Sequence, residues 1–287
     1  MTDVDEQSVD QAMQTWRQGD VCMDDGLEFL HLADLSRPHS PASAQVAKVL
    51  ASNDEDFEAG GTPVLDNVRG MAVLSQTCDI VRGCRERPFV EVAPLVEVTE
   101  SWVEEIRRFK RPAFAYVPAT ADKHLVADLD RTMTVEKALM ARWTHTPGWV
   151  ADKNRRDFAG ALARKRSRFA FPNDFVMAAR GLQERLINKH HKQTDEGAHL
   201  RALSEIRVRA APSWDDDEVR LCWWFVKESD PMGVLADWPT FVGNWLELLD
   251  QGSRFHLESF VACRMDDMTA RDYVESDQLD LDRLSAA

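Results

Sequence analysis

The sequence predicts an α+β protein, and three observations predict it. Strand signals crowd the first third of the chain, helical periodicity dominates the middle, and the last third reads β-β-α-β-α. Strands and helices segregated along a chain favour α+β over a doubly wound sheet. With 287 residues, 44% of them hydrophobic, the chain has material for one large or two ordinary cores. No internal repeat is evident.

Residues 1–15 read as a short amphipathic helix or loose tail. The turn Gln18-Gly19-Asp20 leads into a strand at Val21, and another strand spans Glu28–Leu32. Residues 36–61, rich in Pro, Ser, Ala and Asp, form an inserted loop with one helical piece at 43–51. Two strong strands follow, Met71–Ser75 and Phe89–Val92, separated by the polar turn Arg82–Arg87. The apolar run that begins at Met71 reads as a buried strand.

Trp102–Lys110 suits a helix, and Ala113–Val117 and Leu125–Leu129 suit short strands. Val135, Leu139 and Trp143 recur four apart behind Thr134, which predicts a helix over Thr134–Trp143. Phe158–Arg168 continues helically, Phe171-Pro172 breaks it, and Asn173 or Asp174 caps a helix over Phe175–Lys189. A β-hairpin has arms Glu205–Ala210 and Val219–Val226, with Trp223 and Trp224 on opposite faces of a sheet covered on both sides. Trp238–Leu249 is an amphipathic helix. Phe255–Arg264 is a strand with Phe255, Leu257 and Val261 on one face, and Thr269 caps a last helix ending at Glu275. The expected domains are 1–122, a basic helical segment 123–196, and a C-terminal α+β unit 197–287.

The net charge of −14 hides an asymmetry. Residues 153–209 carry a net +8, which leaves −22 on the remainder. A basic block in an acidic protein is a candidate polyanion site, with internal pairing as the plain alternative. Its candidate nucleic-acid contacts are Arg164, Lys165, Arg166, Arg168, Lys189, His190, Lys192 and Arg207, with Phe169 and Phe171 as stacking or core aromatics. Five scattered cysteines with no Cys-x-x-Cys pair do not form a disulfide framework. Neither a signal peptide nor a membrane span is recognisable, so a cytoplasmic location is expected. No metal or other cofactor is expected, since Cys78 and Cys84 are too widely spaced for a zinc pair.

The densest chemistry lies where the apolar strand Met71–Leu74 ends in Ser75-Gln76-Thr77-Cys78-Asp79. A buried strand that stops at reactive side chains presents them at the edge of a sheet. A nucleophilic role for Cys78 needs a base nearby. His31 and His39 lie 47 and 39 residues upstream, which keeps a cysteine hydrolase as an alternative. Asp215–Glu218 beside Glu205–Arg209 reads as cross-strand ion pairing rather than a nuclease carboxylate cluster.

Three pieces in order, Arg17-Gln18-Gly19-Asp20-Val21, Arg69-Gly70-Met71-Ala72-Val73-Leu74-Ser75 and Val90-Glu91-Val92-Ala93-Pro94-Leu95-Val96, resemble the PemK/MazF-like toxin fold. The resemblance covers about a third of the chain and implies an N-terminal SH3-like β-barrel related to ribosome-independent RNA endonucleases. Arg69 falls at the family's catalytic Arg, and Val96 takes the place of its catalytic Thr. The resemblance therefore implies a nucleic-acid-associated protein of toxin or defence type. Arg69 would stabilise the pentavalent phosphate, and Asp79, beside Cys78, or a histidine from elsewhere would replace the Thr. A non-catalytic adaptor or regulator that binds a protein partner is the rival from another class.

Overall fold

The computed structural model describes residues 3–53, 61–167, 169–231, 237–250 and 252–279. It is α+β, and it divides into two compact units, Met1–Arg166 and Ser167–Ala287. The boundaries expected at 122 and 196 each fall inside one of these units.

The first unit opens with α1 (Asp3–Met13), then β1 (Val21–Cys22), β2 (Glu28–Ala33), α2 (Pro41–Ser52), β3 (Thr62–Asn67), β4 (Met71–Val73), α3 (Thr77–Ile80) and β5 (Phe89–Glu97). After these come α4 (Glu100–Arg107), β6 (Phe114–Ala115), β7 (Leu125–Asp128), β8 (Met133–Glu136), α5 (Lys137–Met140) and α6 (Asp152–Ser167). The central sheet runs β1-β4-β5-β7-β6, with β8 also on β5. All its pairings are antiparallel.

The long strand β5 organises this sheet. One edge takes β4, and the other takes β7 against Leu95–Glu97 and β8 against Phe89–Val92. The apolar run 71–74 alternates between two cores. Met71 and Val73 join Val9, Met13, Trp16, Val90 and Val92 on one face; Ala72 and Leu74 join Ala93, Leu95, Phe158 and Ala161 on the other. An SH3-like barrel was expected here, but no closed barrel is found. Among the described residues the end strands β1 and β6 do not pair with each other, and apolar clusters cover both faces of the sheet.

Two local expectations change, and one strand appears where none was expected. Thr134–Glu136 lies in strand β8, not in a helix, and only Lys137–Met140 is helical. The β-branched Val135 fills the open edge of β5 opposite Val90, while Leu139, the next member of the apparent helical stripe, is exposed. Strand β3, which carries Pro63 and Asp66 and so gives a weak strand signal, pairs with β2 outside the main sheet. The helix inside the 36–61 insertion starts earlier than its apolar pattern suggests, because Ser40 and Ser43 form a reciprocal capping box.

The second unit contains α7 (Asn173–Ala178), α8 (Arg180–His190), α9 (Asp195–Ala202), β9 (Leu203–Ala211), β10 (Val219–Lys227), α10 (Trp238–Leu246), β11 (Phe255–Cys263), α11 (Ala270–Glu275) and β12 (Asp277–Gln278). The single helix expected over Phe175–Lys189 is therefore two, divided at Ala179, and Pro172 rather than Asn173 or Asp174 occupies the position before the first. The sheet order is β11-β10-β9-β12, with β10 and β11 parallel. Trp223 packs with Phe225 and the helices on one face; Trp224 packs with Cys222, Val226 and Cys263 on the other. Phe255, Leu257 and Val261 do not share a face. The register shifts opposite Leu221 and Cys222, so Leu257 pairs with Leu221 but Val261 pairs with Trp224, and the extra residue reverses the alternation. Among the described residues no helix is long and apolar enough to cross a membrane.

Candidate functional site

The end of β4 is where the strand-end motif sits, and its side chains serve mainly to anchor it. Ser75 Oγ accepts from Glu91 N at 2.8 Å, and Thr77 Oγ1 accepts from Gln18 N at 3.2 Å. Gln18 Nε2 returns a bond to Leu74 O at 2.8 Å. Below the short helix α3, the buried Lys137 ammonium donates to Asp79 O at 2.9 Å and Arg82 O at 2.6 Å. This places a cation on the carbonyl end of α3, where orphan acceptors need donors. Burial holds the Lys137 amine below its ordinary value. Cys78 is exposed, and its thiol lies 3.6 Å from Gln76 Oε1; the Asp79 carboxylate faces Arg82 at 3.7 Å.

Arg69 lies at the other end of β4. Its guanidinium pairs with Glu97 at 3.3 Å, with both side chains exposed. Ser75 is bonded at Glu91 and Arg69 at Glu97, six residues apart on one strand, or roughly 20 Å at the rise of an extended chain. The expected set of Arg69, Cys78 and Asp79 is thus spread over both ends of the strand, and a phosphate held by Arg69 does not reach Cys78.

A different pair meets at the motif's end of the sheet. Asp20 is 1% exposed, and its Oδ2 accepts from His145 Nε2 at 2.8 Å and from Arg17 N at 2.7 Å. Its Oδ1 accepts from Gly148 N at 3.2 Å. His145 is 27% exposed, and its ring meets the buried Trp16 edge-on at 4.8 Å. Among the described residues no protein group bonds His145 Nδ1. A carboxylate that accepts Nε2–H leaves Nδ1 as the basic nitrogen.

The loop carrying His145 is pinned from several sides. Val21 and Thr146 exchange backbone bonds, and Asp24 accepts from Thr144 N at 2.8 Å, which holds the Asp24 carboxyl below its ordinary value. Cys22, buried under the same turn, donates to Asp24 at 3.1 Å, and burial pushes its thiol up to about 11. Gly148 lies so close to the Gly19 turn that an added Cβ would sit 1.8 Å from Gly19 O. Gly19 itself has φ +89°, a conformation that suits only glycine without strain. Neither Asp20 nor His145 stood out in sequence, because Gly19-Asp20 reads as an ordinary turn and 125 residues separate the pair. The only signal was a lone histidine in the polar run Thr144-His145-Thr146 ahead of Pro147-Gly148.

The basic residues behave differently from one another. Arg164 donates to Phe109 O, Lys165 pairs with Asp130, and Arg166 pairs with Glu91, all within the first unit. Arg168 lies outside the described residues. In the second unit Lys189 is half-buried and Lys192 exposed, with no acidic partner among the described residues. His190 is buried, its ring edge-on to His191 at 4.7 Å. Arg207 was expected on a nucleic-acid face but is buried. It donates to Ser276 Oγ, Ser276 O, Tyr273 O and Glu205, and its guanidinium lies 4.0 Å from the Tyr273 ring centre. Arg209 pairs with Asp272 and Glu275 rather than with Asp215–Glu218 across the turn. Phe171 packs into the core beside Phe175 and Trp214.

No protein-family model matches the chain, and no curated protein matches it significantly in sequence.

Proposed function

We propose that the protein is a nucleic-acid-associated hydrolase of toxin or defence type whose acid–base centre is His145, oriented by Asp20. The observation that carries this reading is the 2.8 Å bond between a fully buried carboxylate and a part-exposed imidazole whose second nitrogen has no partner among the described residues. A carboxylate behind a histidine fixes its tautomer and stabilises the imidazolium that forms on proton uptake. Cations flank the pair in sequence: Arg17 lies three residues before Asp20, and Arg142, exposed, three before His145. RNA suits a site built on one base, because it carries its own nucleophile. His145 Nδ1 removes the 2′-hydroxyl proton, the 2′ oxygen bonds to phosphorus, and the bond to the 5′ oxygen breaks. That oxygen takes a proton from water, the hydroxide so formed takes the proton back from the imidazolium, and the products are a 2′,3′-cyclic phosphate and a 5′-hydroxyl.

The experiment is cleavage of a fluorogenic RNA and of the matching DNA by the full chain. RNA alone should be cut. His145→Gln should lower kcat by about a hundredfold or more, Asp20→Asn should lower it less, and Cys78→Ala should leave it intact. Unchanged cleavage by His145→Gln would remove the proposal, and loss of activity in Cys78→Ala would restore the cysteine hydrolase. The adaptor reading is favoured by one observation, the neutralisation of Lys165, Arg166, Arg207 and Arg209 within their own units. It stands if the chain neither cuts nor binds RNA at low salt.

A further inference from the structure

We propose that the outer face of the β2–β3 hairpin is a docking surface for an amphipathic helix of a partner protein, apolar along its centre and basic at both ends. The register of the hairpin sets Leu30 opposite Leu65 and Leu32 opposite Pro63, so these four side chains share one face. Leu30 is 48% exposed, Leu32 70% and Leu65 54%. Large apolar side chains gathered on one exposed face mark an interaction site, whereas scattered ones need no explanation. The opposite face is closed: Phe29 and Val64 are buried, and Val64 packs with Leu35 and Ala47 beneath α2.

The central sheet of the first unit carries buried apolar clusters on both faces. The β2–β3 pair carries a helix on one side and, among the described residues, exposes Leu30, Leu32 and Leu65 on the other. Two strands make a surface about 5 Å wide between strand axes, room for one helix rather than a second sheet. Two-stranded hairpins are marginal without further packing, so covering this face also stabilises the insertion.

Charge selects among helices. Glu28 continues the exposed alternation of Leu30 and Leu32 at one end of the stripe, and the exposed Asp34 follows β2 at the other. Bonds from Ser36 hold the Asp34 carboxyl below its ordinary value, so it is anionic at neutral pH. These carboxylates lie roughly 20 Å apart along the strand, which corresponds to about thirteen residues of helix. A partner helix with Lys or Arg at each end of a four-turn apolar stripe meets both. An acidic helix meets like charge at each end, in a protein whose net charge is already −14.

The test uses the full chain and three synthetic helical peptides: a leucine-striped helix with lysines at both ends, the same helix with glutamates there, and the lysine-ended peptide with its stripe scrambled. The first should bind saturably by fluorescence anisotropy, at least tenfold tighter than either control. Leu32→Asp should abolish that binding although it adds negative charge, which separates docking from non-specific attraction to an acidic protein. Glu28→Lys should narrow the preference for lysine ends. Circular dichroism and an unchanged thermal midpoint check that these exposed substitutions leave the fold intact. Equal binding of lysine- and glutamate-ended peptides, or retention of binding by Leu32→Asp, overturns the proposal. So does concentration-dependent self-association of the chain that Leu32→Asp removes, because the occupant is then a second copy.

Discussion

Asp20 and His145, 125 residues apart in sequence, are joined by a 2.8 Å bond at the edge of the central sheet. Everything around the pair serves to hold it. The Gly19 turn supplies the carboxylate, the Val21–Thr146 bridge fixes the loop opposite, and Gly148 permits the two backbones to touch.

The carboxylate should therefore matter to folding as well as to chemistry. Asp20→Ala strands the amides of Arg17 and Gly148 and the imidazole N–H in a buried site. The expected loss is about 3 kcal/mol of stability in the first unit, measured by urea denaturation. A loss below about 0.5 kcal/mol would mean that water replaces the carboxylate without cost.

Gly148→Ala tests the loop's close approach. The new methyl has no room beside Gly19 O, which is backbone and cannot swing aside. The loop must move, and the His145–Asp20 bond should break with it. Loss of the bond should show at fixed pH in the NMR spectrum as disappearance of the hydrogen-bonded His145 Nε2–H resonance.

Cys22 should make the first unit sensitive to alkali. Burial raises its thiol from 9.0 to about 11, so the folded state keeps a proton that the unfolded state has released. The stabilisation is complete below pH 9 and is lost as pH rises through 9 toward 11. Cys22→Ala should flatten that fall in a series of denaturation curves, and an unchanged slope would assign it to other groups.

Arg207 is expected to act on stability rather than on nucleic-acid affinity. Arg207→Ala leaves Glu205 and the carbonyls of Tyr273 and Ser276 without their donor, at a cost of about 3–5 kcal/mol. Arg207→Lys should recover little, because an ammonium lacks the planar fork that reaches all of these partners. Recovery of full stability by lysine contradicts the geometry.

The strand at Met133–Glu136 can be separated from the helix that periodicity suggests. In the strand, Val135 is buried and Leu139 exposed, so Val135→Asp should unfold the first unit while Leu139→Asp changes stability by less than about 0.5 kcal/mol. Equal damage from both would favour the helical stripe.

The sequence alone determined the elements whose signals are local. The strands expected at Met71–Ser75 and Phe89–Val92 are present as β4 and β5, and Met71–Val73 are buried at every position because both faces of the sheet carry a core. The Trp223-Trp224 pair and the cap at Thr269 were equally legible, being statements about neighbours in the chain. Tertiary structure decided whatever depended on a partner distant in sequence. The open edge of β5 drew Val135 into a strand against its apparent period, and a bulge opposite β10 turned Val261 away from Leu257. Arg69 and Cys78, nine residues apart on paper, went to opposite ends of one strand, because an extended chain separates what a helix would stack. Asp20 and His145 gave no local sign of each other. A buried carboxylate must find its donors wherever the fold brings them, and no pattern in the neighbouring residues records that encounter.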